Sequence, residues 1–142
     1  MTRYFDASAL VKRYVRESGS LTVRRLLASD VAATSRLSEI EVSSGVIRRA
    51  REGTLSARTR NLILAALHHD IPALAIVEVT PEVSVEARHL LLRHVLRAGD
   101  AVHLASGLYL QRQLARPVPF VAFDTRLLQA ARAEGLPVIT GR

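Results

Sequence analysis

The sequence predicts an α/β domain, a parallel sheet of four to five strands with helices on both faces. Two observations carry this. Short apolar runs with strand character alternate with helical stretches along all 142 residues, the pattern of a parallel sheet built through helical crossovers. The strand runs are also apolar at successive positions, as strands covered on both faces are. No internal repeat and no long linker divides the chain, so residues 1–142 are expected to form one domain.

In chain order, "RYF" (3–5) is the first expected strand. "SALVKRYVRE" follows with helical spacing, and "SLTVRRLLAS" gives a second helix after Gly19. "VAAT" (31–34) is the second strand. The stretch "SRLSEIEVSSGVIRRAREG" reads as a helix with Leu37, Ile40 and Ile47 on one apolar face and Gly53 as its stop. "SARTRNLILAALHHD" is a further helix with Ser56 as N-cap. "ALAIVEV" (73–79) is the third strand. Thr80 followed by Pro81 is a cap and first-position signal for the helix "TPEVSVEARHLLLRHVLR". A small-residue helix then opens near Asp100. "VPFVAF" (118–123) is the fourth strand, "DTRLLQAARAEG" a helix closed by Gly135, and "LPVIT" a short last strand.

Composition narrows the class. With 49% apolar and 4% aromatic residues, the chain has the material for a compact aliphatic core. No apolar run is long enough to span a bilayer, and the start lacks the pattern of a secretory signal. The absence of cysteine excludes disulfides, thiolate catalysis and Cys-based metal sites. A cytoplasmic protein is expected. The formal net charge is +7, and 19 of the 20 basic residues are Arg, Lys12 being the exception. Such a surplus permits anionic partners, nucleic acid among them, although it also fits an arginine- and alanine-rich composition without function.

The acids are more informative. Asp6 directly follows the first strand, Asp124 the fourth, Asp100 stands at the start of a helix, and Glu41 lies early in the helix after strand two. A parallel sheet brings ligands to the carboxyl ends of its strands, near the point where strand order reverses. These four acids, distant in sequence, can therefore meet at one edge. Singly, each also fits a structural role: Asp100 a helix cap, Asp124 a strand-to-helix turn, Glu41 a solvated helix residue. Glu39 and Glu41, two apart, cannot share a helical face. Gathered together, four carboxylates repel unless protons, arginines or cations offset them. Hard oxygen donors without cysteine point to Mg²⁺ or Mn²⁺. Such an ion activates water and stabilises the leaving oxygen of a phosphodiester.

The segments "YFDASALVKRYVRESGS", "SRLSEIEVSSGVIRR", "GDAVHLASGL" and "VPFVAFDTRLLQAARAEGLPVI" together resemble the PIN-domain family, in particular its VapC ribonuclease toxins. The resemblance implies an acidic Mg²⁺ or Mn²⁺ site at Asp6, Glu41, Asp100 and Asp124, and RNA hydrolysis by metal-activated water. It also implies a homodimer, inhibited by a small cognate antitoxin protein. Ser8 falls at a hydroxyl position after the first acid, where it can bond a site carboxylate or simply cap a helix. Ala122 departs from the Thr or Ser common two residues before the fourth acid; Thr125 is the candidate substitute. Lys12, Arg13, Arg16 and Arg48 are candidate contacts to RNA phosphates. His103, three residues after Asp100, can share its helical face as a ligand or base, or can bond within the fold. The stripe Leu90, Leu91, Val95 suits core or dimer contact. A nuclease acting in RNA processing or on DNA, and a PIN domain that binds nucleic acid without cutting, are the alternatives. A phospho-receiver is a poor fit, because Asp6 has no acidic neighbour and the chain has no late Lys.

Overall fold

The computed structural model describes residues 1–140. Five parallel strands form one sheet: β1 (Thr2–Phe5), β2 (Val31–Ser35), β3 (Ala75–Val77), β4 (Phe120–Ala122) and β5 (Val138–Thr140), in the order β3-β2-β1-β4-β5. The chain builds outward from β1 through β2 to β3, then returns to the other side of β1 with β4. The strand order therefore reverses between β1 and β4, where Tyr4 lies beside Phe120 and Phe5 beside Val121. This is the position at which a doubly wound sheet opens a crevice.

Among the described residues seven α-helices surround the sheet: α1 (Ala7–Leu10), α2 (Ser20–Ser29), α3 (Leu37–Arg51), α4 (Ala57–Asp70), α5 (Pro81–Arg93), α6 (Ala98–Leu114) and α7 (Thr125–Ala133). Strand alternation sorts the core onto two faces. Tyr4, Ala33, Phe120 and Ala122 pack with Leu90, Leu104 and Leu127 from α5, α6 and α7. Phe5 and Val121 point to the other face, with Ala9 and with Val23 of α2. A third cluster joins Leu10 and Val11 to Val42, Val46, Ile63 and Leu67, seating α3 and α4 against α1. The small residues of α6 are what let it come close. A Cβ at Gly107 would stand 3.0 Å from the Phe120 ring, so the helix backbone lies directly on β4.

The capping signals act as expected at two helices. Ser56 accepts from the Thr59 amide, and Thr80 from that of Val83, with Pro81 at the first helical position. Other expectations are corrected. The stretch after Phe5 is one turn of α-helix and a 3-10 turn at Val11–Arg13 rather than a continuous helix. Strand β3 is confined to Ala75–Val77, because Ile71–Ala73 forms a 3-10 turn around Pro72. The buried face of α3 is Ser38, Val42, Gly45 and Val46, an i, i+4, i+7, i+8 stripe. Leu37 and Ile47 flank it and Ile40 is exposed. Helix α5 stops at Arg93, so Leu90 is buried while Leu91 and Val95 lie on the surface. No helix among the described residues is long and apolar enough to cross a membrane.

Candidate active site at the carboxyl edge of the sheet

Asp6 leaves β1 beside β4, its amide bonded to the Val121 carbonyl at 3.2 Å. Its side chain caps α1: Oδ1 accepts from the Ala9 amide at 2.8 Å, and the Ser8 hydroxyl donates to both carboxylate oxygens at 2.8 and 2.9 Å. Ser8 thus bonds a site carboxylate, whereas the cap of α1 is Asp6 itself and Ser8 lies inside the helix. Asp6 is 3% exposed. Burial pushes its carboxyl up to about 6, against the opposing pull of His103 and the bonds from Ala9 and Ser8, with Asp100 adding to the rise.

Asp100 is the third residue of α6, inside the first turn rather than at the cap, which is Arg97. Its carboxylate still meets the positive end of the helix dipole. Partial burial raises its pKa first, Asp124 second, with Glu41 adding and His103 and Arg97 opposing. Asp124 follows β4 and caps α7, its Oδ1 accepting from the Leu127 amide at 3.0 Å. Glu41, from α3, reaches toward α6: its Oε1 lies 2.6 Å from His103 Nε2. His103 is buried, and its Nδ1 lies 2.8 Å from the hydroxyl of Tyr4. Burial holds the Tyr4 phenol protonated, its pKa pushed well up.

The four predicted acids therefore sit at one end of the sheet and act on one another electrostatically. Asp6, Asp100 and Asp124 make no ion pair among the described residues, and Glu41 pairs only with His103. Hard oxygen donors left without basic partners fit a divalent cation in donor chemistry. Their side chains are each turned to a local partner. In these rotamers no three His, Asp or Glu side chains among the described residues converge on a point within ligating reach.

Two clefts adjoin at the site. One, of about 570 Å³, is lined by Ser8, Lys12, Glu41, Arg48, Arg97 and Phe123, among others. The other, of about 680 Å³, is lined by Arg97, Asp100, Phe123, Asp124 and Thr125, among others. Lys12 lies on the first, bonded to Glu17 at 3.1 Å and placed 4.4 Å from the centre of the Phe123 ring. Arg48 lines the same cleft and is exposed. Arg13 is elsewhere, its Nε 3.1 Å from Asp70, and Arg16 is exposed outside both clefts. Thr125 opens α7 on the cleft wall. Ala122 is fully buried in the apolar cluster beside α6.

Three contributors escape a reading of the sequence. Tyr4 looks like an ordinary strand core residue, and only its hydroxyl contact reveals more. Arg97 lines both clefts but follows a helix without any motif. Glu17 bridges Lys12 and Arg49, at 3.1 and 3.0 Å, and so reduces the free positive charge beside the acids.

Comparison with known proteins agrees with this architecture. A family profile described as PIN domain matches residues 3–133. Ribonuclease VapC45 of Mycobacterium tuberculosis (strain CDC 1551 / Oshkosh) is 38% identical over 141 residues, covering 95% of this chain and 92% of its own. The crystal structure of M. tuberculosis VapC20, described as a sarcin-ricin loop cleaving toxin, superposes with a TM-score of 0.68 at 22% identity, covering 96% of each chain. A toxin-antitoxin complex from Klebsiella pneumoniae gives a TM-score of 0.67 at 18% identity, covering 99% of this chain and 98% of that one. With the acids carried on the strand ends and helices where the sequence placed them, the chain belongs to the PIN domain family.

Proposed function

We propose that this protein is a metal-dependent endoribonuclease, the toxin of a type II toxin–antitoxin pair, acting as a single nuclease domain at the pocket of Asp6, Glu41, Asp100 and Asp124. One observation carries the reading. A chain with a formal net charge of +7 leaves Asp6, Asp100 and Asp124 without a basic partner among the described residues, while arginines pair with Asp30, Asp70, Glu78, Glu86 and Glu134 elsewhere. Uncompensated acid in a basic protein calls for a cation from outside.

Asp6, Glu41, Asp100 and Asp124 are the residues that would hold Mg²⁺ or Mn²⁺. When bound, such an ion supplies Lewis-acid polarisation of the scissile phosphate and makes water a stronger nucleophile. The protein's own groups do the rest. Ser8 and the Ala9 amide fix Asp6, the Leu127 amide fixes Asp124, and the α6 N-terminus favours ionised Asp100. Arg48 and Arg97, on the rim, would receive the flanking phosphates of an RNA strand. The names of the relatives, ribonuclease and toxin, support RNA as substrate, and the likeness to a chain of a toxin-antitoxin complex supports a cognate antitoxin as partner. A cytoplasmic homodimer is part of the same proposal.

The test is cleavage of RNA by the purified protein with Mg²⁺ or Mn²⁺. Asp100→Asn is expected to lower the rate by about a hundred-fold or more, the usual scale for losing a central electrostatic group. Undiminished cutting in excess EDTA overturns the proposal.

A further inference from the structure

We propose that His103 is a positioning residue: oriented by Tyr4, it holds one oxygen of Glu41 so that the other is presented at Gly99, the residue before Asp100. This rests on the nuclease reading, and specifically on Glu41 being a cation ligand.

Glu41 differs from its fellow acids in how it is held. Asp6 and Asp124 are short side chains fixed by amides of the helices they cap. Glu41 has one more rotatable bond, its side chain is 35% exposed, and its side-chain bond among the described residues is the one to His103. Ordering such a side chain costs rotamer freedom. A ligand that pays this beforehand binds an ion more tightly, which is why ligating carboxylates are themselves hydrogen-bonded.

The chain of bonds fixes one proton. A Glu41 carboxylate can only accept, so His103 Nε2 carries the hydrogen. Nδ1 meets the Tyr4 hydroxyl, which donates to a neutral ring and accepts from a charged one. In either state every polar atom in the buried pair is satisfied. Tyr4 is in turn locked by stacking on Phe120, ring centres 5.2 Å apart and planes 6° apart, and it meets the His103 ring edge-on at 6.0 Å. With both nitrogens engaged and the residue 1% exposed, His103 has no lone pair to offer substrate or water. This excludes the general-base role its spacing from Asp100 left open.

The free oxygen has a defined place as well. Glu41 Oε2 lies 2.9 Å from where a Cβ at position 99 would stand. A side chain there would push Glu41 aside. Within one turn, then, α6 carries the opening for Glu41 at Gly99, the acid Asp100, and the holder His103.

The experiment is a calorimetric titration of Mn²⁺ into RNA-free protein, with unfolding temperature and the Mn²⁺ dependence of RNA cleavage measured alongside. His103→Leu keeps the bulk and removes the donor; its Mn²⁺ Kd is expected to rise about ten-fold or more. His103→Gln, whose amide can replace the Nε2–H donor, is expected to recover most of that loss. Tyr4→Phe preserves the stacked ring and removes only the hydroxyl, so it tests the relay in a folded protein. It should weaken Mn²⁺ several-fold, and raise the Mn²⁺ concentration needed for half-maximal cleavage while saturating ion restores the rate. Gly99→Ala should act in the same direction. Parental Kd values in both His103→Leu and Tyr4→Phe overturn the proposal and leave the nuclease reading standing. A parental protein that binds no Mn²⁺ overturns the nuclease reading, and this proposal with it.

Discussion

Asp6 and Asp70 are the same residue in two very different settings. Asp70, the last residue of α4, accepts from Arg13 Nε at 3.1 Å and from the Tyr14 hydroxyl at 2.7 Å. Burial works to raise its pKa, but the Tyr14 and Arg13 bonds outweigh it and hold the carboxyl below its ordinary value. At Asp6 burial wins, and the carboxyl stands at about 6. Both are accepted into hydrogen bonds; only one is given a cation by the fold. Where a charge serves structure, the chain supplies its partner. Where it serves chemistry, the partner is left out and the carboxylate is costly to keep ionised.

The strongest way to sharpen this contrast is Asp6→Asn. Asn caps a helix as well as Asp does, so α1 should survive, while RNA cleavage should fall by about a hundred-fold or more. Stability should move the other way. A carboxyl at about 6 in the folded chain against an ordinary 3.8 costs on the order of 3 kcal/mol at neutral pH. The sign follows from proton binding: between those values the folded protein holds more protons than the unfolded one. This stabilising contribution is therefore full below about pH 4 and lost as pH rises through 6. Urea denaturation should show the parent weakening across that window and Asp6→Asn weakening less, with a gain at pH 7 of up to that amount. Added Mn²⁺ should stabilise the parent at pH 7 more than the variant.

Asp70→Asn is the reverse experiment, with a smaller effect. It removes a partly exposed ion pair, worth up to about 1 kcal/mol, and weakens the Tyr14 bond, worth about 1 more. Stability at pH 7 should drop by about 1–2 kcal/mol and cleavage should stay at the parental rate. Because the folded pKa is lowered, the contribution of Asp70 is present at neutral pH and lost as pH falls through that lowered value. The parent's loss of stability in acid should be reduced in this variant. A large fall in cleavage would break the division between structural and chemical acids.

The two regions were also unequally legible in the sequence. The strands announced themselves by apolar runs between turn residues, and the positions of Asp6 and Asp124 after β1 and β4 followed from strand order alone. Glu41 and Asp100 needed only helix placement, and a shift of two residues in the start of α6 did not move Asp100 from the site. What stayed hidden depends on side-chain direction. Leu37, Ile40 and Ile47 satisfy helical spacing as well as Ser38, Val42, Gly45 and Val46 do, and the packing of α3 on α1 and α4 decides between them. Nothing in "RYF" says that the Tyr4 hydroxyl finds His103, 99 positions away. Lys12, Arg13, Arg16 and Arg48 look equivalent as cations. The continuous helix expected after Phe5 is instead a short helix and a 3-10 turn, and the four do not share one cleft.

That last difference gives the smallest prediction and one specific to charge. Arg48 is exposed on the cleft that also holds Glu41, and it makes no ion pair among the described residues, whereas Arg13 is tied to Asp70 away from it. If Arg48 meets one RNA phosphate, Arg48→Ala should raise KM a few-fold, leave kcat near its parental value, and flatten the plot of log affinity against log salt by about 0.7. Arg13→Ala should leave that slope unchanged and lower stability instead, because its charge is already spent on Asp70. Fluorescence anisotropy of a labelled RNA from 50 to 200 mM salt, using catalytically inactive Asp100→Asn as the common background, measures both slopes without cleavage. Equal flattening by the two variants would mean that the basic surplus acts as a diffuse field over the whole surface, and that the cleft beside the acids is not the path of the strand.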